Sequence, residues 1–440
     1  MVFIAAMTKE NLVKKLFSVA ERIHLRIFGH AMSDEMRKFL AHLSWSFSGG
    51  IIASGIMFAV NILAGRWLGP EEYGKYNAAL SFATILSTIY LFGMDVSSVR
   101  YLSDRKFSKL KRKIFTTVLL SVIFLQLIVI LILFLVQKNF PNVINISNEI
   151  FLLAVLLAIV ISHKALANGF LRAFHEFKRQ GIYRILDAGV VLIAFFVAVL
   201  FFGQRNMSSY ANSFLLGGAM FVLFSLWSLR KNISEYDLSI LKKMFSEYNR
   251  YVLFLSLIGI IVASDKLIIG RFLGFKELGY YSAYYASSHL FVAELGGIFM
   301  NVFWPSVIKN SKSIQMILRK VVRLFVFGAP FWVILISAST FSLISLFGKG
   351  YPIRYDYLVL FSMNTFLGFL FSIFTGFLNV HHIKKSVVIS GVFAFSSILT
   401  LFLTQSILSY ICLQIALQVV LICVVNFFLS SEKETIIATT

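Results

Sequence analysis

The sequence predicts an all-α, polytopic membrane protein with about twelve transmembrane helices in two six-helix bundles related by an internal repeat. Three observations support this fold class. Hydrophobic residues make up 58% of the 440-residue chain and charged residues only 14%. Apolar runs of about 20 residues, long enough to cross a bilayer as helices, recur along the chain. One motif occurs twice. A soluble domain carries about 25% charged residues, so the solvent of this chain is lipid.

The apolar runs divide the chain into two halves. The predicted spans are 44–65, 78–97, 115–136, 150–170, 182–203, 209–229, 251–272, 282–304, 321–347, 357–379, 386–404 and 408–430. The predicted domains are an N-terminal arm (1–43), a first bundle (44–229), a cytoplasmic linker (230–250), a second bundle (251–430) and a C-terminal tail (431–440).

Basic residues predict the orientation of the chain. With twelve spans, the loops on one side carry a roughly fourfold excess of Lys and Arg over those on the other, which places both termini in the cytoplasm. We therefore expect a multi-pass protein of the cell (inner) membrane. The net charge of +21 reflects this topology and suits an anionic lipid surface, so nucleic acid is not an expected partner.

The N-terminal arm has two interpretations. Apolar residues at helical spacing, including Leu12, Leu16 and Ile23, alternate with Lys14 and Arg22, which predicts a basic amphipathic helix on the cytoplasmic surface. Alternatively, translation starts at Met32, and the preceding residues are an extension of the true start.

The internal repeat consists of two twelve-residue motifs that lie 205 residues apart in the sequence. The run from Gly65 to Tyr76 (GRWLGPEEYGKY) matches the run from Gly270 to Tyr281 (GRFLGFKELGYY) at seven of twelve positions. Each copy follows the first predicted span of its half. Because each half has an even number of spans, the halves are parallel in the membrane, and substrate is expected between them.

Physically, each copy predicts a tight exit turn, in which a glycine ends the helix in a left-handed cap. Arg66 and Arg271 stand where a long side chain can reach lipid phosphates or turn into a cavity. A helix stop with a lipid anchor and direct contact with substrate are both open for these arginines.

The first motif also carries a family resemblance. Together with Phe92-Gly93-Met94-Asp95 and Val99-Arg100-Tyr101-Leu102, it resembles the polysaccharide biosynthesis (O-antigen flippase-type) family of the multidrug/oligosaccharidyl-lipid/polysaccharide exporter superfamily over about 44–305. The resemblance implies two six-helix bundles that alternate between inward- and outward-open states. It also implies an ion-coupled flippase for an undecaprenyl-diphosphate-linked oligosaccharide. Lipid-linked oligosaccharide, the bilayer and other polysaccharide-assembly membrane proteins are its expected partners.

Ionisable residues within the predicted spans are the candidate functional groups, because charge is costly inside a membrane. They are Lys164, Asp187, Asp265, Lys266 and Glu294. The consecutive pair Asp265 and Lys266 points about 100° apart on a helix, so the two side chains need different surroundings. The matched positions in the first half are Val60 and Asn61, so this pair belongs to one half only.

We assign these residues to two roles. Lys266 and Lys164, with Arg66 and Arg271, are expected to bind the diphosphate, because an anion in a low-dielectric cavity needs cationic partners. Asp265, Glu294 and Asp187 are expected to couple transport to a proton or sodium gradient. For Lys164 and Asp187 the alternative is a structural ion pair between neighbouring helices.

Other functions have weaker support in the sequence. A glycosyltransferase or polymerase of the same pathway would need a large extramembrane loop with acidic residues, and no such loop is predicted, so we expect no enzyme and no catalytic residue. No P-loop motif occurs, and neither cofactor nor metal is expected. Within transporters, a drug/cation antiporter of the same superfamily is the main alternative. A lipid II flippase is a third, although its basic cluster in the first spans is not evident.

Overall fold

The chain is mainly helical in the part that the computed structural model describes, residues 34–136, 147–247, 249–290, 292, 314–381 and 383–437. Within these ranges it contains helices and no strand, which confirms the all-α class. Glu294 and residues 1–33, which include most of the N-terminal arm, lie outside the described residues.

The first half and the linker contain seven helices. They are α1 (Asp34–Leu91), α2 (Met94–Ser103), α3 (Lys111–Val136), α4 (Asn148–Ala173), α5 (Phe177–Leu200), α6 (Met207–Leu229) and, in the linker, α7 (Leu238–Glu247). Polar caps fix two helix starts: Ser147 Oγ accepts a hydrogen bond from the Ile150 amide, and Asn206 Oδ1 accepts one from the Ser209 amide. Each satisfies an amide that has no partner within its own helix.

The second half contains seven further helices. They are α8 (Asn249–Ala263), α9 (Asp265–Leu273), α10 (275–290), α11 (Ile314–Phe347), α12 (Tyr355–His381), α13 (Ile383–Leu403) and α14 (Ile407–Ile437). Across the described ranges, nine helical stretches are long and apolar enough to cross a membrane. One of them, Ser48–Leu91, covers the first two predicted spans. The total of twelve remains a prediction.

The exit turns differ from the predicted left-handed caps. Gly69 interrupts α1 with φ 75° and ψ 170°, and the matched Gly274 separates α9 from α10 with φ 91° and ψ 164°. Their φ values are positive, but their ψ values are extended, a combination that only glycine adopts readily. The prediction of a glycine-dependent turn is right, and the predicted cap geometry is wrong.

Three predicted helix boundaries also change. The predicted span 78–97 breaks at Phe92 and Gly93, which have positive φ and separate α1 from α2. The first helix begins at Asp34, so the end of the predicted arm is continuous with the first span. The predicted span 251–272 is not one helix, because it breaks at Ser264, between α8 and α9. The break places Asp265 at the start of a new helix rather than within a continuous one.

The core is shared by the two halves. One cluster of buried hydrophobic residues contains Tyr73 and Tyr76 of α1 together with Tyr284, Phe347 and Phe361 of the second half. The α1 helix also packs on α4 and α5 of its own half and on α8, α9 and α11 of the other. It is therefore the main structural link between the halves.

Close packing of α5 on α6 yields a stability prediction. A Cβ at Gly217 would lie 2.5 Å from Val191 Cγ2 and 2.7 Å from the Asp187 carbonyl oxygen, whereas a Cβ at Gly189 would meet no atom within 4 Å. We expect Gly217→Ala to lower the free energy of unfolding by about 1–3 kcal/mol, because the added methyl group overpacks the contact. The measurement is the thermal transition temperature of the purified protein in detergent, which should fall. Gly189→Ala is the matched control and should not lower it; equal transitions would contradict this packing.

Candidate functional site

The break in the seventh predicted span organises a charged site. At the break, the Ser264 hydroxyl donates to the Ile261 carbonyl oxygen at 2.7 Å. Asp265 follows at the start of α9: its Oδ1 accepts a hydrogen bond from the Lys266 amide at 2.6 Å, and its Oδ2 accepts one from the Tyr281 hydroxyl at 2.8 Å. A carboxylate at a helix N-terminus with two donors is stabilised without a side-chain ion pair.

Lys266 has different surroundings, as its direction on the helix predicts. Its Nζ lies 5.3 Å from the centre of the Tyr285 ring, a cation–π contact. That ring stacks on His289 with 3.8 Å between ring centres. The His289 Nδ1 lies 3.1 Å from the Thr365 hydroxyl, which connects α10 to α12.

Asp265 lines a cavity of about 450 Å³ among the helices of the second half. We call it the second-half cavity. Residues of α8, α9, α10, α12, α13 and α14 line it, and its polar members include Asp265, Tyr281, Tyr285, His289, Asn364, Thr365, Ser397, Tyr410, Gln414 and Gln418. Its volume lies in the range of small-molecule sites. The sequence predicted a substrate site between the halves, whereas this cavity lies within one of them.

Two amide oxygens of the second-half cavity are buried and accept no hydrogen bond within the described part of the chain. They are Asn364 Oδ1 and Gln418 Oε1, and Gln418 is only 5% exposed. The neighbouring Gln414, by contrast, accepts from Ser397 and donates to Thr400. Buried acceptors without donors are rare in native proteins. The lining of the second-half cavity therefore contains a carboxylate and two amide side chains whose oxygens lack a donor, which favours a ligand that donates hydrogen bonds or carries positive charge.

The predicted pair in the first half is in contact. Lys164 Nζ donates to Asp187 Oδ2 at 2.5 Å, and the two side chains are 18% and 9% exposed. The Lys164 ammonium also lies 4.7 Å from the centre of the Phe214 ring. Asp187 Oδ1 is buried and accepts no hydrogen bond within the described ranges. This geometry matches the alternative of an ion pair between α4 and α5, and it leaves one buried carboxylate oxygen, packed against Gly217, without a donor.

The two arginines of the repeated motifs lie near the turns. The Arg66 side chain packs on Gly348, with its Cγ 3.4 Å from where a Cβ would stand. Arg271 is exposed, and its guanidinium lies 5.8 Å from the ring of the adjacent Phe272. The predicted site residues thus fall in three places: the second-half cavity, the pair in the first half and the motif turns.

Several residues of the second-half cavity were missed at the level of sequence. Tyr281, Tyr285 and His289 recur every four residues on one face of α10, and Gln414 and Gln418 do so on α14. Such a row of polar groups within an apolar span is a usable signal, because each needs a partner away from lipid. Asn364 and Thr365 carry no comparable pattern, and only the fold brings them to Asp265.

Comparisons with solved structures agree with this fold. An inward-facing multidrug resistance MATE family transporter of the MOP superfamily aligns with TM-score 0.64 and 14% identity, over 90% of this chain and 99% of that one. The lipid II flippase MurJ in an inward closed conformation aligns with TM-score 0.63 and 16% identity, over 87% of each chain. A MOP superfamily transporter from Pyrococcus furiosus aligns with TM-score 0.52 and 13% identity, over 88% and 94%. These likenesses show the fold.

The family assignment comes from sequence. No curated protein is similar enough in sequence to count as a relative. The family model described as "Polysaccharide biosynthesis protein" matches residues 39–311, which is more than half of the chain and includes both copies of the repeated motif. The predicted resemblance over about 44–305 is thereby confirmed, and the chain belongs to the polysaccharide biosynthesis protein family, with the fold of the MOP-superfamily transporters.

Proposed function

We propose that this protein is a flippase, not an enzyme, that moves an undecaprenyl-diphosphate-linked oligosaccharide from the cytoplasmic to the outer leaflet by alternating access. The observation that carries the proposal is the helix break at Ser264, which sets Asp265 in the lining of a cavity within the membrane-spanning part and Lys266 against the ring of Tyr285, another lining residue. Membership of a polysaccharide biosynthesis family supports a saccharide-bearing lipid as the substrate class. Charges at such a depth are costly, so a role in transport explains their presence.

Diphosphate binding is assigned to the basic residues. Lys266 makes no ion pair within the described residues, and its ammonium contacts the ring of Tyr285, which lines the second-half cavity, so we assign its charge to the diphosphate. Lys164 is held by Asp187 at 2.5 Å and becomes available once that carboxylate is neutralised. Arg66 and Arg271 lie at the motif turns, where they would contact the phosphates as the lipid enters or leaves.

Ion coupling is assigned to the acidic residues. Asp265 lines the second-half cavity together with Asn364 and Gln418, whose amide oxygens have no donor within the described residues, and carboxylate and amide oxygens are suited to a proton or a sodium ion. Asp187 retains one unpartnered oxygen, and its protonation would release Lys164 for the diphosphate. Glu294, outside the described residues, stays a candidate from sequence alone. Both termini are proposed to be cytoplasmic in the inner membrane.

Organic-cation export is a second candidate, because one feature of the second-half cavity favours it. Asp265 is accompanied there by the aromatic side chains Tyr281, Tyr285 and Tyr410, and carboxylates with aromatic faces bind cations. The two functions make opposite demands on Lys266. Export of a cation would be abolished by Asp265→Asn and would tolerate Lys266→Ala, whereas flipping of a diphosphate lipid requires Lys266.

Loss of the Lys266 charge tests the proposed function. In a flippase-null strain, we expect Lys266→Ala at normal expression to restore much less surface polysaccharide than wild type, because the diphosphate loses a cationic partner of about 1.5–3 kcal/mol. Lys266→Arg should retain part of the activity. Lys276→Ala, which removes an exposed lysine near the motif turn, is the matched control. Full rescue by Lys266→Ala would rule out the assignment.

Neutralising Asp265 tests ion coupling. In proteoliposomes, we expect Asp265→Asn to abolish the acceleration of flipping by an imposed proton or sodium gradient, because the amide neither binds the proton nor carries the charge. Gradient-independent flipping should be less affected. Glu235→Gln, at an exposed carboxylate of the linker, controls for the loss of one negative charge. An unchanged response to both gradients in Asp265→Asn would remove this residue from the coupling mechanism.

A further inference from the structure

The two copies of the repeated motif touch each other through their glycines. A Cβ added at Gly74 would overlap the carbonyl oxygen of Phe275, and a Cβ added at Gly279 would overlap the carbonyl oxygen of Pro70. Gly74 and Gly279 are matched positions of the two motifs, and so are Pro70 and Phe275. Each glycine therefore faces the backbone carbonyl of the other copy, at the same place in the motif.

This reciprocity is the signature of an approximate twofold axis. In an isologous contact, the same two positions meet twice with their roles exchanged, as they do here. Backbone meets backbone at both points, so even a methyl group has no flexible side chain to displace. The contact needs glycine at both positions, and the sequence has glycine at both.

A layer of aromatic side chains surrounds the glycine contact. The Phe347 ring lies against Gly65 and 5.9 Å from the Tyr73 ring, and the Tyr351 ring lies 6.4 Å from that of Tyr73. Gly350 approaches Pro70 Cδ at 3.4 Å, measured from its Cβ position. The chain from Phe347 to Tyr351 follows α11 and faces the side that the basic residues predict to be outer. The two halves are thus closed against each other at the outer end.

One hydrogen bond connects this contact to the charged site. The Ser81 hydroxyl, on the same helix as Gly74, donates to the carbonyl oxygen of Ala263 in the other half. Ala263 is the last residue of α8, and Asp265 opens α9 after the break. The matched position of Ser81 in the second half is Ala286, so only one half supplies this bond. The backbone that orients Asp265 is therefore tied to the opposite half of the protein.

We propose that Gly74 and Gly279 form the closing contact of an outer gate, and that the hydrogen bond from Ser81 couples the opening of this gate to the surroundings of the Asp265 carboxylate. Opening to the outside separates the two motifs and breaks the bond between Ser81 and the Ala263 carbonyl. The freed carbonyl and helix break then change the surroundings of the Asp265 carboxylate. This proposal rests on the alternating access of the proposed function and identifies the residues that perform it at the outer end.

The test measures gate opening without any substrate. Ser282 is 2% exposed and lies one turn beyond Gly279, so Ser282→Cys, in a background with Cys412→Ser and Cys423→Ser, reports access from outside. A membrane-impermeant maleimide is applied to right-side-out and inside-out vesicles. We expect Gly74→Ala and Gly279→Ala each to speed labelling severalfold in right-side-out vesicles only, because the methyl group prevents closure.

Two further variants make the result decisive. Gly189→Ala, where a Cβ would meet no atom within 4 Å, is the matched glycine control and should label at the unmodified rate. Ser81→Ala removes only a hydroxyl, is not expected to impair folding, and should also speed labelling. If the two motif variants and Ser81→Ala label no faster than Gly189→Ala, the gate is overturned. Because labelling needs no cargo, faster labelling of these variants would support the gate even if the unmodified protein flipped no lipid, a result that would contradict only the proposed substrate.

Discussion

The structure of the second half depends on one constraint. A carboxylate and an ammonium occupy consecutive residues of a membrane-spanning segment. Such neighbours point in different directions on a helix, so Asp265 and Lys266 cannot simply neutralise each other. The helix ends at Ala263 and restarts at Asp265, which gives the carboxylate an amide and a tyrosine hydroxyl as donors. The ammonium lies against the face of Tyr285. Irregular backbone inside a membrane is tolerated where protein covers it or where it lines a cavity, and the break at Ser264 meets both conditions.

The glycines of the two repeated motifs bring the halves of the protein together, and this contact is connected to the charged site. Gly69 and Gly274 let the chain turn sharply after each first span, so the two returning helices, α10 and the second segment of α1, begin close together. Gly74 and Gly279 then allow the backbones to meet, and Ser81 links that contact to the break beside Asp265. A change at the charged site and a change in the distance between the halves are therefore mechanically connected.

Much of the fold was predictable because lipid imposes strong patterns on sequence. Apolar runs identified the helices, and glycines in a twelve-residue motif identified the turns. The positions of Lys164 and Asp187, near the cytoplasmic ends of neighbouring predicted spans, suggested as an alternative the ion pair that forms. The break at Ser264 was not predictable, because Ile261-Val262-Ala263-Ser264 contains neither Gly nor Pro and is strongly apolar. The break coincides with a tertiary contact, the hydrogen bond that the Ser81 hydroxyl donates to the Ala263 carbonyl oxygen. Asn364 and Thr365 were also missed, because residues far apart in sequence meet at the second-half cavity only in the folded protein.

The most direct test of the central claim is transport of the cargo itself. Purified protein would be reconstituted into liposomes that contain a fluorescent undecaprenyl-diphosphate oligosaccharide in both leaflets, and the fraction of sugar accessible to an external lectin would be followed in time. We predict that accessibility rises beyond the initial outer-leaflet fraction, and faster when a proton or sodium gradient is imposed. No rise above protein-free liposomes, with transport of an organic cation by the same preparation, would contradict the account.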